Sequence, residues 1–305
     1  MINWSEMPAQ VVTRFAPSPT GHLHLGHVAN AIWTWGMARA TGGQVVLRME
    51  DHDRGRCRAE YEASILEDLA WLGLRADIGE DALRVGGASA YRQSDHPERY
   101  AAALERLGTR SQVYGCGCSR REVAARTGHA IAGDEMRYDG FCRARGIAMA
   151  AAGVRVALPT EAVHFKDLLL GKQEQYPVEQ VGDLLLRERN GYWTYQLCVV
   201  VDDAADGVTL VVRGTDILAS TGRQILLGSM LGETRRMAWL HHPLLLAEDG
   251  HKLSKREAAQ GIRELREAGW SPEAVLGEAA FRTGLIATAC VLSVDELPTL
   301  FPRMK

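Results

Sequence analysis

One stretch near the start of the chain constrains its fold more than any other: Arg14-Phe15-Ala16-Pro17-Ser18-Pro19-Thr20-Gly21-His22-Leu23-His24-Leu25-Gly26-His27. Val11-Val12-Thr13 before it is short and β-branched and reads as a buried strand. Val28 to Thr41 after it reads as a helix closed by Gly42-Gly43, since glycine commonly sits just past a helix C-terminus. The segment is therefore a strand-to-helix turn, where unpaired helix N–H groups can meet a phosphate. Pro17 and Pro19 stiffen it, Gly21 and Gly26 let a ligand approach the backbone, and His24 and His27 stand ready as donors. A histidine pair on a turn is also what a solvated surface looks like. A second stretch far downstream, Lys252-Leu253-Ser254-Lys255-Arg256, reads alone as a basic surface loop. The two in this order are more specific than either.

At 305 residues the chain can bury a real core in two or three domains. Net charge is −3, so no global basic field announces nucleic acid, although a local patch can still hold a backbone. Apolar runs such as Leu197-Cys198-Val199-Val200-Val201 are short and end in Asp202-Asp203. None approaches a membrane span, and no signal-peptide pattern opens the chain, so a cytoplasmic protein is expected.

Gln44 to Met49 reads as a second strand running into Glu50-Asp51-His52-Asp53-Arg54. In open α/β sheets that carboxyl edge is where ligands bind; the competing reading is a solvated turn with helix-capping acids. Ala59 to Leu72 and Pro97 to Leu107 are helices by apolar spacing. From Val113 to Tyr192 the strand–helix rhythm breaks, with short strands near Val154–Leu158 and Val163–Phe165. It resumes with Trp193 to Val201, a strand at Val208–Val212 and a helix from Asp216 to Leu231, and the end is helical. The expected architecture is α/β: residues 1–112 and 193–256 form two halves of a Rossmann-like domain. Residues 113–192 form an inserted subdomain, and residues 257–305 a short helical C-terminal region.

Of six cysteines, Cys116, Cys118 and Cys142 cluster in the inserted segment. With Tyr138 they read C-x-C-x19-Y-x3-C. A disulfide framework is not expected in a cytoplasmic chain. Three thiolates suit tetrahedral zinc, free buried thiols being the bland alternative. Such a closed site is structural and fixes a subdomain that lacks a core of its own. Cys57, Cys198 and Cys290 read as packing residues.

Taken together these motifs resemble the class I aminoacyl-tRNA synthetases of the glutamyl type. Arg14 to His27 resembles that family's opening signature, with its HIGH motif as His24-Leu25-Gly26-His27, and Lys252 to Arg256 resembles its KMSKS loop. Glu50-Asp51, Tyr195-Gln196-Leu197 before Val199-Val200-Val201-Asp202-Asp203, and Val211-Val212-Arg213-Gly214 match in order between them. The resemblance covers residues 10 to 256. The segment after Arg256, about fifty residues, cannot supply a large anticodon-binding region. That brevity, the cysteine cluster and Arg213-Gly214-Thr215-Asp216 resemble a short paralogue family, the glutamyl-Q tRNA(Asp) synthetases.

The resemblance implies ATP-dependent activation of L-glutamate and its transfer to queuosine in the anticodon of tRNA(Asp), by a cytoplasmic monomer without a membrane. His24, His27, Lys252 and Lys255 would be catalytic, with His24, His27 and Lys255 on ATP. Arg14, Phe15, Ala16, Pro17, Ser18, Glu50, Tyr195 and Arg213 would bind glutamate. Two carboxylates and an ammonium need cations (Arg14, Arg213) and an anion (Glu50). The bland alternative pairs Arg213 with Asp202 or Asp216 as a structural ion pair. Mg2+ is expected with ATP, held by phosphates and water. The family pattern puts zinc on Cys116, Cys118, Cys142 and Tyr138, with His129 the rival fourth ligand. Other readings are a truncated glutamyl-tRNA synthetase charging a tRNA 3′ end, an inactive glutamate- or RNA-binding paralogue, and a small-molecule adenylyltransferase. The histidines, lysines and glutamate set argue against the inactive paralogue, and the cysteine cluster with the glutamate set against the adenylyltransferase. Gly222 stands where the family usually has proline, which is expected to loosen a helix entry.

Overall fold

The computed structural model describes residues 1–83, 87–128, 136–245 and 261–302. The first strand, β1 (Val12–Phe15), precedes α1 (Leu25–Thr41) and lies parallel to β2 (Gln44–Leu47). The helix begins at Leu25 rather than Val28, because the histidines of the turn cap it. It ends at Gly42, whose φ of 68° is left-handed backbone that glycine adopts without strain. A Cβ on Gly43 would stand 2.5 Å from the Val11 carbonyl oxygen, so only glycine lets the chain turn back into β2. Two helices follow, α2 (Ala59–Trp71) and α3 (Pro97–Arg110), the latter opened by proline in its first turn.

Next come β3 (Val113–Cys116), α4 (Arg120–Thr127), β4 (Gly153–Val156), β5 (Val163–Asp167), β6 (Gly171–Gln175), α5 (Pro177–Val181) and β7 (Leu184–Arg187). Ser119 and Glu122 close the first turn of α4 as a reciprocal capping box. Strands β3, β4 and β7 form an antiparallel sheet of their own.

The remainder is α6 (Tyr195–Ala205), β8 (Leu210–Gly214), α7 (Ser220–Met230), β9 (Ala238–His242), α8 (Ile262–Glu267) and α9 (Pro272–Arg282). The run Val199-Val200-Val201 would suit a strand by propensity. It is helical because α6 is buried from Gln196 to Asp203, and that packing outweighs a weak local preference. Strand β9 lies parallel between β8 and β5, with β6 antiparallel on the outer edge of β5. Thr209, just before β8, ties that sheet to β1: its N–H donates to the Val12 carbonyl, and its Oγ1 accepts from the Val12 N–H, both at 2.9 Å. The chain thus rejoins the parallel sheet at β5, earlier than the strand–helix rhythm suggests, and leaves it again for β7. The C-terminal segment is helical through Arg282, and a 3-10 turn, Val294–Leu300, follows later.

The main core gathers α1, α2, β1, β2, α8 and α9. Phe301 packs where α1 has Gly36; a Cβ there would stand 2.1 Å from the phenyl ring. A second core joins α3, α6, α7 and the β4–β7 face. Around the cysteines the buried apolar group among the described residues is Tyr114, Cys116, Val123, Tyr138 and Cys142, with Met136 and Ile147 packed against it. Among the described residues, no helix is long and apolar enough to cross a membrane.

Candidate active site

The histidine turn closes the N-terminus of α1 with two side chains. His24 is the N-cap, and its Nδ1 accepts the Gly26 N–H at 3.1 Å. Nδ1 of His27 accepts the His24 N–H at 3.1 Å. An Nδ1 that accepts has no proton, so each neutral ring carries its hydrogen on Nε2. The rings lie 3.9 Å apart. Burial lowers the pKa of both, and burial with the adjacent His24 brings His27 down to about 3. At neutral pH the turn therefore presents two uncharged Nε2–H donors at the positive end of a helix whose Gly26, His27 and Val28 N–H groups are already bonded to His24.

Behind the turn lies a buried ion network. Nε of Arg14, on β1, donates to both carboxylate oxygens of Asp203 on α6, each at 3.1 Å, and Nη1 donates to the Val212 carbonyl at 3.2 Å. Nη2 is the guanidinium nitrogen left over among the described residues. Arg48, 1% exposed, bridges Asp203 at 2.8 Å, Asp206 at 2.7 Å and Glu50 at 3.2 Å. Burial alone would raise the Asp203 pKa; Arg14 and Arg48 outweigh it and hold the carboxyl below its usual range. Glu50 is also buried, and burial pushes its pKa up against the pull of Arg48, His52 and Arg14. Its neighbour Asp51 is 3% exposed and accepts the Ser94 N–H at 2.8 Å and the Ser94 hydroxyl at 2.6 Å, so it is not a solvated acid, and α2 has no side-chain cap.

Arg213, on β8, is 3% exposed. Its Nε donates to Nε2 of His241 at 3.0 Å, Nη1 to Oε1 of Gln224 at 2.7 Å and Nη2 to Oγ1 of Thr221 at 2.7 Å. The Tyr195 hydroxyl is a further hydrogen-bond neighbour. No carboxylate lies within ion-pair distance among the described residues, so the structural ion pair is not what the fold builds. Asp202 instead binds Arg99, Tyr100 and Gln93. Burial pushes the Arg213 pKa down, and the positive field of Arg14 adds to this. Among the described residues its hydrogen-bond partners are neutral, which leaves a desolvated cation able to receive an anion.

Arg14 lies within electrostatic reach of both Glu50 and Arg213, and Tyr195 within reach of Arg213. Of the intervening expected residues, Phe15 is core, 2% exposed, and packs on Trp35 at 5.3 Å. Phe15 and Pro17 offer carbonyls to the N–H groups of Arg48 and Glu50, at 3.1 and 3.0 Å. Ala16 is half-buried and Ser18 exposed. Lys252, Lys255 and His129 lie outside the described residues. Sequence reasoning did not single out Arg48, Asp167, Thr221, Gln224 or His241. The paired histidines His241-His242 at the end of an apolar run were the available signal. At α7 the N–H of Gly222 donates to Oε1 of Gln175 at 2.8 Å, so the entry is clamped rather than loose.

The cysteines converge as well. The three sulfur atoms lie within 4.8 Å of one another, Cys118 to Cys142 at 3.5 Å. The Tyr138 hydroxyl is 3.3 Å from Cys116 Sγ and 3.8 Å from Cys118 Sγ, and it accepts the Cys142 N–H at 2.9 Å. Tetrahedral zinc with bonds of about 2.3 Å to sulfur and 2.0 Å to oxygen spaces its ligands by roughly 3.5 to 3.8 Å. The Cys118–Cys142, Cys116–Tyr138 and Cys118–Tyr138 spacings lie close to that range. Of the other cysteines, Cys198 is buried, Cys57 half-buried and Cys290 exposed, so Cys290 is not a packing residue.

A parallel sheet with a histidine-capped helix after its first strand, and a buried cation at the carboxyl end of β8, suit a ligand-binding α/β catalytic domain. Residues 10–290 match the family described as tRNA synthetases class I (E and Q), catalytic domain, and the chain belongs to that family. It is 42% identical over 299 residues to a glutamyl-Q tRNA(Asp) synthetase of Symbiobacterium thermophilum, covering 94% of this chain and 91% of that one. It is 42% identical to a protein of the same name from Nitratidesulfovibrio vulgaris, covering 90% of this chain and 86% of that one. A crystal structure of a glutamate tRNA ligase from Elizabethkingia meningosepticum, in complex with its amino acid, superposes with a TM-score of 0.78 at 26% identity. The match covers 96% of this chain and 64% of that chain.

Proposed function

We propose that the chain activates L-glutamate with ATP and transfers the glutamyl group to queuosine in the anticodon of tRNA(Asp). The observation that carries the amino-acid choice is the Arg213 guanidinium, desolvated among neutral partners. Arg213, with Nη2 of Arg14, receives the side-chain carboxylate, Glu50 the ammonium, and Tyr195 gives a hydroxyl. The acceptor follows the relatives that align along 91% and 86% of their length with this chain.

In the first step an α-carboxylate oxygen attacks the α-phosphorus of ATP, and the bond to pyrophosphate breaks. Negative charge collects on phosphoryl oxygens, so catalysis is positioning and electrostatic stabilisation. The Nε2–H groups of His24 and His27 donate to those phosphates, and Lys252 and Lys255 supply positive charge. Mg2+ travels with ATP, bound by phosphates and water. In the second step a nucleophile on queuosine attacks the glutamyl carbonyl and AMP leaves. Zinc on Cys116, Cys118, Cys142 and Tyr138 would be structural, reinforcing the small buried cluster that joins β3 and α4. By this reading residues 113–192, apart from β5 and β6, contact the RNA.

The test is to offer labelled glutamate and ATP with queuosine-bearing tRNA(Asp), the same tRNA without queuosine, and tRNA(Glu). Label on the first alone is expected. Label on tRNA(Glu) makes the chain a charging enzyme for a 3′ end, and absence of glutamate-dependent pyrophosphate exchange removes the enzymatic reading.

A further inference from the structure

Beneath the guanidinium of Arg213 lies a second buried pair that the activation chemistry does not use. Asp167, at the end of β5, is 1% exposed, and His241, on β9, is fully buried. Oδ1 of Asp167 accepts the N–H groups of Leu169 and Leu170, both at 2.9 Å. Oδ2 accepts the His241 backbone N–H at 3.1 Å and faces His241 Nδ1 at 2.6 Å. No Lys or Arg pairs with this carboxylate among the described residues. With three backbone donors on it, the ionised carboxylate can only accept, so the proton between it and the imidazole sits on Nδ1.

That fixes the other end of the ring. A neutral imidazole with Nδ1–H has a lone pair at Nε2, and this nitrogen is the one 3.0 Å from Arg213 Nε and 3.0 Å from Thr221 Oγ1. The opposite tautomer, or the imidazolium, would point N–H at N–H and drive the guanidinium away. We propose that His241, locked in the Nδ1–H tautomer by Asp167, positions Arg213 for a carboxylate and sets the preference for glutamate over glutamine. The inference rests on the reading of Arg213 as the glutamate side-chain partner.

The physical reason for a histidine at this place is charge. A carboxylate touching Arg213 directly would orient it equally well and would also neutralise it. The imidazole transmits the orientation of Asp167 while keeping the anion one ring away. Arg213 then keeps its full positive charge for the substrate. A glutamine amide brings N–H donors against guanidinium donors, and a site built on a fixed donor set rejects such a mismatch strongly.

His241→Asn and His241→Gln separate the two ends of the ring. The Asn amide nitrogen matches Nδ1 and keeps the Asp167 bond, but offers Arg213 no acceptor. The Gln carbonyl reaches the Nε2 position and keeps the acceptor. In glutamate-dependent pyrophosphate exchange, H241N is expected to raise the glutamate KM about tenfold or more and to lower the glutamate-to-glutamine kcat/KM ratio similarly. H241Q should stay within about threefold of wild type, and the ATP KM should not move in either. These ratios do not depend on how much protein is folded. A merely structural role would instead lower melting temperature and kcat with the glutamate KM unchanged in both. Nitrogen-15 NMR of labelled histidine tests the wild-type chain without any variant. A protonated Nδ1 and bare Nε2 are expected from about pH 6 to 8; a protonated Nε2 overturns the proposal. Wild-type protein without glutamate-dependent exchange would overturn the glutamate reading itself, whereas active wild type with an unaltered KM in H241N overturns only this inference.

Discussion

His24 and His27 cap one helix end reciprocally through Nδ1, each accepting a backbone N–H at 3.1 Å, with both Nε2 atoms left as donors. The same two rings thus hold the turn and offer its chemistry, and a substitution can divide those roles. His27→Asn places an amide oxygen near Nδ1 and removes the Nε2–H. It should keep melting temperature close to wild type and cut the pyrophosphate-exchange kcat by about a hundredfold. His27→Ala should lose the rate and also about 1 kcal/mol of stability, as a lost cap does. Equal melting losses in both variants would show that the amide does not replace the cap.

The buried histidines make stability pH-dependent in a definite direction. The pKa of His27 is brought down to about 3 by burial and His24, and that of His242 to about 4 by burial. Both are normal when unfolded, so the unfolded chain binds more protons below about pH 6.5. Their contribution is complete above that pH and is lost as pH falls toward the folded values. Asp68, raised to about 6 by burial, works in the opposite sense, stabilising as pH falls from about 6 toward 4. Urea denaturation from pH 7 to pH 4 should show a net loss, with a shallower slope in His27→Asn. An unchanged slope in that variant would remove His27 from the account.

Asp203 is shared by Arg14 and Arg48, so its charge holds two buried cations at once. Asp203→Asn keeps the shape and removes the charge. Breaking a buried pair this way costs about 3–5 kcal/mol, because uncompensated charge remains inside. The variant should unfold at markedly lower urea, and the surviving protein should show a raised glutamate KM through Arg14. A loss under about 1 kcal/mol would mean that Asp206 and Glu50 suffice for Arg48.

The cysteine group predicts one zinc per chain by elemental analysis. Chelation or Cys142→Ser should release it and lower melting temperature sharply, since the neighbouring buried cluster is small among the described residues. Tyr138→Phe keeps the ring and removes the oxygen. Partial loss of zinc affinity is expected if that oxygen is the fourth ligand, and full retention would shift the fourth position elsewhere.

What was legible in the sequence was local. The histidine turn and the cysteine spacing each sit on one continuous segment, where spacing translates directly into shared space. The long-range partnerships were not legible: Arg48 meets Asp203 across 155 positions, and Asp167 meets His241 across 74. No periodicity links such pairs; they arise where β5 pairs with β9 and where Asp203 of α6 reaches Arg14 and Arg48. For the same reason β5 and β6 were grouped with the cysteine region, since a strand's sheet is decided by its partner. The triple valine of α6 is likewise helical by its surroundings, because burial overrides its β preference.

Gly222 offers a test in which local and distant effects meet. Its N–H donates to Gln175 Oε1, and Gln175 Nε2 in turn donates to the Leu218 carbonyl at 2.9 Å, so one buried side chain clamps the entry of α7. Proline suits the first turn of a helix by its fixed φ, yet it lacks this donor. An added Cβ would also stand 2.7 Å from Gln175 Oε1 and 2.9 Å from its Cβ. Gly222→Pro, although it restores the residue usual in the resembled family, should therefore cost about 1–3 kcal/mol by leaving a buried acceptor unpaired. Gln175→Ala in the same chain removes the orphaned oxygen and the clash, so the double variant should lose less than the sum of the single losses. Thr221, adjacent to Gly222, holds Arg213 Nη2, and the glutamate KM should rise with the proline and fall back in the double variant. A proline variant as stable as wild type would show that Gln175 finds another donor and that the clamp contributes nothing to α7.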